Sequence, residues 1–131
     1  MKITLTGRVP PKKNSKIIIC RGPRPMLIPS KRYSAWYEEK SWELKQYHCK
    51  PIEECIISMD FYIPDKRASD MDNLAASVLD LLVGNRIIKD DSWKIVKEIH
   101  LKFVCIDREN PRVEVELEEM VSDEPDKANC H

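Results

Sequence analysis

The sequence predicts an α+β fold in a single domain, with a mixed, largely antiparallel sheet covered by two helices. Three observations carry this. The run from Cys55 to Ile63 alternates cleanly, with Ile57, Met59, Phe61 and Ile63 facing one way. Two more alternating runs lie towards the C-terminus, one through Ile95, Ile99, Leu101, Phe103 and Cys105, the other through Val113, Val115 and Leu117. Two segments, one after Ser30 and one from about Asp72, join helix start signals to apolar groups at helical spacing.

Taken in order, residues 2–8 read as a first strand, and Pro10-Pro11-Lys12-Lys13-Asn14-Ser15 as a basic loop rich in turn formers. Lys16 to Cys20 and Met26 to Ile28 form two short strands around Gly22-Pro23. Ser30 offers an N-cap for a helix running to about Tyr47, which buries Tyr33, Trp36, Tyr37 and Leu44. The strand from Cys55 ends at Pro64-Asp65. The second helix uses Leu74, Val78, Leu81 and Leu82 for its apolar side, and Gly84-Asn85 closes it. Arg86 to Lys89 is a short extended link into Asp90-Asp91-Ser92. The last two strands, joined through Asn110-Pro111, are expected to pair with each other antiparallel. Residues 1–120 make up the domain, and the acidic, apolar-poor stretch 121–131 is expected to be disordered.

A chain of 131 residues can bury a core without disulfides or a structural metal. Its five cysteines, Cys20, Cys49, Cys55, Cys105 and Cys130, show no CxxC spacing, which argues against a zinc ribbon or a disulfide framework. Cys55 and Cys105 fall in apolar runs and read as buried, inert thiols. His48-Cys49 and Cys130-His131 are adjacent pairs, which rarely make a metal site alone. No apolar run is long enough for a membrane span, and the alternating N-terminus lacks a signal-peptide pattern, so a cytoplasmic protein without a membrane partner is expected.

The formal charge is zero but unevenly spread. Residues 1–50 hold twelve Lys or Arg against three acids, whereas residues 51–131 hold ten against nineteen. A basic surface beside an acidic one fits a polyanionic partner, although a solvated acidic tail would give the same count. The acidic side has a focus. In Ser69-Asp70-Met71-Asp72-Asn73, extended chain would project Asp70 and Asp72 to one side, whereas inside a helix they would lie about 200° apart. Carboxylates held close repel, and a divalent cation relieves them. Asp90 and Asp91 add carboxylates after a helix and a return, a length that lets the chain double back to the helix start. Such a set beside basic residues fits metal-assisted phosphodiester hydrolysis. The plainer alternative is that Ser69 and Asp72 form a capping box and Asp90-Asp91-Ser92 an ordinary turn.

The segment Pro64-Asp65-Lys66-Arg67-Ala68-Ser69-Asp70-Met71-Asp72-Asn73-Leu74, with Asp80 and then Asp90-Asp91-Ser92, resembles the signature of the RusA family of Holliday junction resolvases. Val9-Pro10-Pro11-Lys12-Lys13-Asn14-Ser15, Ile28-Pro29-Ser30-Lys31-Arg32-Tyr33 and Trp36 resemble its N-terminal half, so the likeness covers roughly residues 3–118. The resemblance implies a Mg²⁺-dependent homodimer that binds branched DNA and nicks a four-way junction in pairs. Carried over, Asp70, Asp72 and Asp91 are the catalytic, metal-binding acids, with Asp90 in support. Lys12, Lys13, Asn14, Lys31, Arg32, Lys66 and Arg67 would meet the DNA. One departure stands out: the family's lysine four residues after the second aspartate is Ala76 here, and Ser69 stands where the family is more basic. Lys66, Arg67 and Lys89 are the candidate substitutes. Two other readings stay open, a junction-binding module that cuts poorly and a small phosphatase or sugar transferase. For the latter the chain is short and the further motifs are absent.

Overall fold

The computed structural model describes residues 1–12, 16–22, 24–47 and 50–120. Strand β1 (Lys2–Thr6) is followed by β2 (Lys16–Arg21) and β3 (Arg24–Pro29), which form an antiparallel hairpin around Gly22. Helix α1 (Lys31–Leu44) comes next, then β4 (Cys55–Ile63), α2 (Met71–Gly84), β5 (Val96–Ile106) and β6 (Arg112–Glu119). The α+β expectation holds, and the main sheet is mixed, in the order β1-β6-β4-β5.

The order corrects the expected pairing of the last two strands. β6 lies between β1 and β4, antiparallel to both, and β5 runs parallel to β4 on its other side. A parallel pair needs a crossover, and α2 supplies it between β4 and β5. β6 takes the centre because both edges of its backbone find partners there, while Val113, Val115 and Leu117 are all buried.

Side chains align in rows across the sheet. Leu5, Val113, Phe61 and Phe103 are successive partners, as are Ile3, Val115, Met59 and Leu101. Three strands of each row are buried under Leu74, Val78, Leu81 and Leu82 of α2 and Tyr33, Trp36 and Leu44 of α1. The row ends on β5 are not fully covered. Ile99 and Phe103 are 42% and 51% exposed, and Cys105, expected inside, is exposed as well. β5 is therefore an edge strand whose core-facing side extends past the helices.

Local signals acted as expected at the helix starts. The Ser30 side chain accepts from the Tyr33 backbone N–H at 3.2 Å and caps α1. At the end of α2 the residue in left-handed conformation is Arg86, φ 57°, rather than Gly84. Gly84 matters for a different reason: a Cβ there would run into the Tyr37 hydroxyl and push that side chain aside. Lys40 is buried, at 3% exposure, and its ammonium joins α1 to β1 through Thr6 Oγ1 and pairs with Glu43, each at 3.2 Å. No helix is long and apolar enough to cross a membrane, among the described residues.

Candidate functional site

β4 ends at Ile63, and seven residues carry the chain to α2. Within them Asp65 is fully engaged. Its carboxyl is held below the usual carboxylate range, first by the Arg67 backbone N–H at 3.0 Å and then by the Arg67 side chain. Arg8 adds a further ion pair from the loop after β1. These contacts fasten the 64–67 turn and leave the next acids free.

Asp70 is the N-cap residue of α2, in extended conformation (φ −70°, ψ 127°), and Asp72 lies in the first turn. Asp70 is thus extended, as a helix beginning near Asp72 requires, but it holds the cap itself and Asp72 is already inside the helix. Asp70 makes no side-chain cap hydrogen bond, so the capping reading gains nothing from it. Both side chains are exposed, and neither has a hydrogen bond or ion pair among the described residues. A carboxylate in the first turn is favoured by the helix dipole, and the free N–H groups beside it would accept an anion such as a phosphate.

Asp90 and Asp91 lie elsewhere. α2 is fourteen residues long, about 21 Å at 1.5 Å per residue. Past its C-terminal end the chain turns through Arg86, Ile88 bridges Ile52, and the Lys89 N–H donates to the Ile52 carbonyl at 3.0 Å. Ile52 precedes β4, so Asp90 and Asp91 stand by the start of β4 and β5, whereas Asp70 and Asp72 follow the end of β4. The expected doubling back to the helix start does not occur within one chain. Among the described residues, no three His, Cys, Asp or Glu side chains come together as a metal site. In kind the donors suit a hard cation. Mg²⁺ is commonly held by one or two carboxylates, with waters and a substrate phosphate completing its shell.

The basic residues lie in separate places. Lys31 and Arg32 are exposed in the first turn of α1, which holds no acid. Cations there oppose the helix dipole and so cost the helix something. Lys66 is exposed in the loop before Asp70, while Arg67 is occupied by Asp65. Both line a cleft of about 530 Å³ with an apolar floor that includes Val9, Phe61 and Leu74, and Arg8 and Arg112 also border it. Lys89 pairs with Glu53 at 3.6 Å, at the far end of α2 from Asp72, so within one chain it does not stand beside position 76. Lys12 lies against α2 itself, with its ammonium 3.2 Å from Asp80 Oδ1. Lys13, Asn14, His48-Cys49 and the 121–131 stretch with Cys130-His131 lie outside the described residues.

Sequence reasoning missed the setting of Asp80. The Tyr33 hydroxyl donates to Asp80 Oδ2, and its ionisation is pushed far above the ordinary tyrosine range by burial and then by that carboxylate. Asp80 falls seven residues after Asn73, and Tyr33 and Lys12 come from two other parts of the chain. In the sequence Asp80 stands out only as part of the family signature.

A family model described as Endodeoxyribonuclease RusA matches residues 7–118. No curated protein matches the chain.

Proposed function

The chain belongs to the RusA endodeoxyribonuclease family, and from that premise we propose that it is a Mg²⁺-dependent endonuclease that resolves four-way Holliday junctions by paired nicks. The observation that carries this reading is the family's D-x-D-N-L at the exposed start of α2, with Asp70 and Asp72 bare of any protein partner among the described residues. Asp70, Asp72 and Asp91 hold the metal, with Asp90 in support. When bound, the ion supplies an activated water and a counter-charge for the leaving oxygen. The first-turn N–H groups of α2 receive the scissile phosphate, and Asp70 and Asp72 orient what binds between them.

Asp91 joins such a site from a second copy. Two acidic segments at opposite ends of a 21 Å helix cannot share an ion within one chain. The open edge of β5 supports a homodimer, because Ile99 and Phe103 continue the core rows past their helical cover. Two-fold antiparallel pairing of β5 with its copy sets the start of one strand beside the end of the other. That arrangement carries Asp91 of each chain towards Asp70 and Asp72 of its mate. A junction has two equivalent strands to cut, and a two-fold dimer offers two equivalent sites. A cytoplasmic location accompanies this reading.

DNA is held through phosphates by Lys12, Lys13, Asn14, Lys31, Arg32, Lys66 and Arg67. The lysine and arginine at the start of α1 cost helix stability yet add charge to a helix N-terminus, an arrangement suited to anions. The wild-type protein, assayed in Ca²⁺ or EDTA, is expected to bind a four-way junction more tightly than a linear duplex of the same arms. Its affinity should fall with salt at a slope of about −0.9 per phosphate contact. Lys31→Ala with Arg32→Ala should flatten that slope by about one to two. Equal affinity for junction and duplex would contradict the branched-DNA reading, and an unchanged slope would move the contact surface off α1.

A further inference from the structure

The segment from Pro10 to Lys12 lies across one stripe of α2. The Ser77 hydroxyl donates to the Pro10 carbonyl, and the Lys12 backbone N–H donates to the Asn73 carbonyl at 3.4 Å. Lys12 Nζ stands 3.2 Å from Asp80 Oδ1, while Tyr33 holds the other oxygen of that carboxylate. Ala76 sits three residues after Asn73 and four before Asp80, on the same helical face, where it presents only a methyl group. A longer side chain at 76 would share the strip that Lys12 occupies.

The anchor of Lys12 is beside Asn73, the residue after Asp72. From that anchor its flexible four-carbon stem runs towards Asp80. Turned the other way, the same stem would lie along the first turn of α2, to which Asn73 belongs and where Asp72 is exposed. The Lys12–Asp80 pair is only partly shielded, at 38% and 39% side-chain exposure, so it is weak and a bound phosphate can draw the ammonium away. Asp80 has Tyr33 as its second partner and keeps its place when the lysine leaves.

We propose that Lys12 is the cation that serves the acidic end of α2, doing from the N-terminal arm what a lysine at position 76 would do from the helix. Asp80, fixed by Tyr33, is its positioning residue. The proposal rests on the nuclease reading. In phosphodiester hydrolysis the water oxygen forms the new bond to phosphorus, the bond to the leaving sugar oxygen breaks, and a proton from the water ends on that oxygen. Lys12 stays protonated throughout and offsets charge on the phosphoryl oxygens.

The test is single-turnover cleavage of a labelled four-way junction in Mg²⁺, with junction affinity measured in parallel in Ca²⁺. Lys12→Gln is expected to lower the rate on the order of a hundredfold, with a much smaller change in affinity. Adding Ala76→Lys to Lys12→Gln is expected to recover most of the lost rate while the midpoint of thermal unfolding stays that of Lys12→Gln, whereas a lysine that only rebuilt the ion pair with Asp80 would raise the midpoint and leave the rate low. Lys12→Met serves as a second variant, and thermal unfolding checks that both remain folded. A Lys12→Gln protein that cuts as fast as wild type overturns the proposal alone, as does a loss that Ala76→Lys leaves untouched. A wild-type protein that binds the junction and never cuts it overturns the nuclease reading and this proposal with it.

Discussion

Asp70→Asn and Asp72→Asn are each expected to abolish junction cleavage, by on the order of a thousandfold or more, while leaving the fold and junction binding nearly intact. The size follows from what is removed. A metal ligand contributes several kcal/mol to charge stabilisation at the reacting phosphate, and asparagine replaces an anionic oxygen with a neutral amide. The sparing of the fold follows from the structure. Asp70 makes no cap hydrogen bond, and asparagine is as good an N-cap residue as aspartate. Asp72 loses only its interaction with the helix dipole, about 0.3–1 kcal/mol. Stability should therefore change by roughly 1 kcal/mol or less in either variant. Denaturant unfolding and cleavage on the same preparations check both halves. Wild-type cutting by Asp72→Asn would remove the metal assignment, and unfolding of the variants would return the acids to a purely structural role.

The second large effect comes from mixing two dead proteins. Co-expressed Asp70→Asn and Asp91→Asn chains are expected to regain cutting that neither has alone. If each site takes Asp70 and Asp72 from one copy and Asp91 from the other, a mixed dimer contains one site with both altered residues and one wholly wild type. Random pairing makes half of the dimers mixed, so about a quarter of wild-type sites return. Because each mixed dimer has a single live site, its product should be a singly nicked junction rather than a resolved one. A mixture as inactive as its parts would mean that each site draws its acids from one chain. Phe103→Glu offers a check on the surface, since a charge at the exposed row end should shift wild-type dimers towards monomers.

Local features of the fold were legible because each rests on near neighbours. The alternation of Cys55–Ile63, the Ser30 cap and the apolar stripe of α2 all translated directly into elements. Pairing between strands did not, because alternation marks a face and says nothing about which edge meets which. Ile99 and Phe103 carry the same pattern as Val113 and Val115, yet the first two lie at an edge and the others at the centre. The signal overlooked was the helix between β4 and β5, a crossover that argues for a parallel pair. The placement of Asp70 and Asp72 at a helix start was legible from their spacing. The distance to Asp91 was not, since it depends on the bridge between Ile88 and Ile52. The contact of Lys12 with Asp80 joins residues far apart in the chain, and no periodicity announces it.

Metal-dependent cutting of branched DNA is tested by incubating the wild-type chain with an end-labelled four-way junction. In Mg²⁺, paired and symmetrically placed nicks that resolve the junction into two duplexes are expected, and in EDTA a bound but intact junction. Cutting that persists in EDTA would contradict the metal assignment. A junction that is bound in Mg²⁺ yet remains whole would contradict the nuclease reading and leave a junction-binding module in its place.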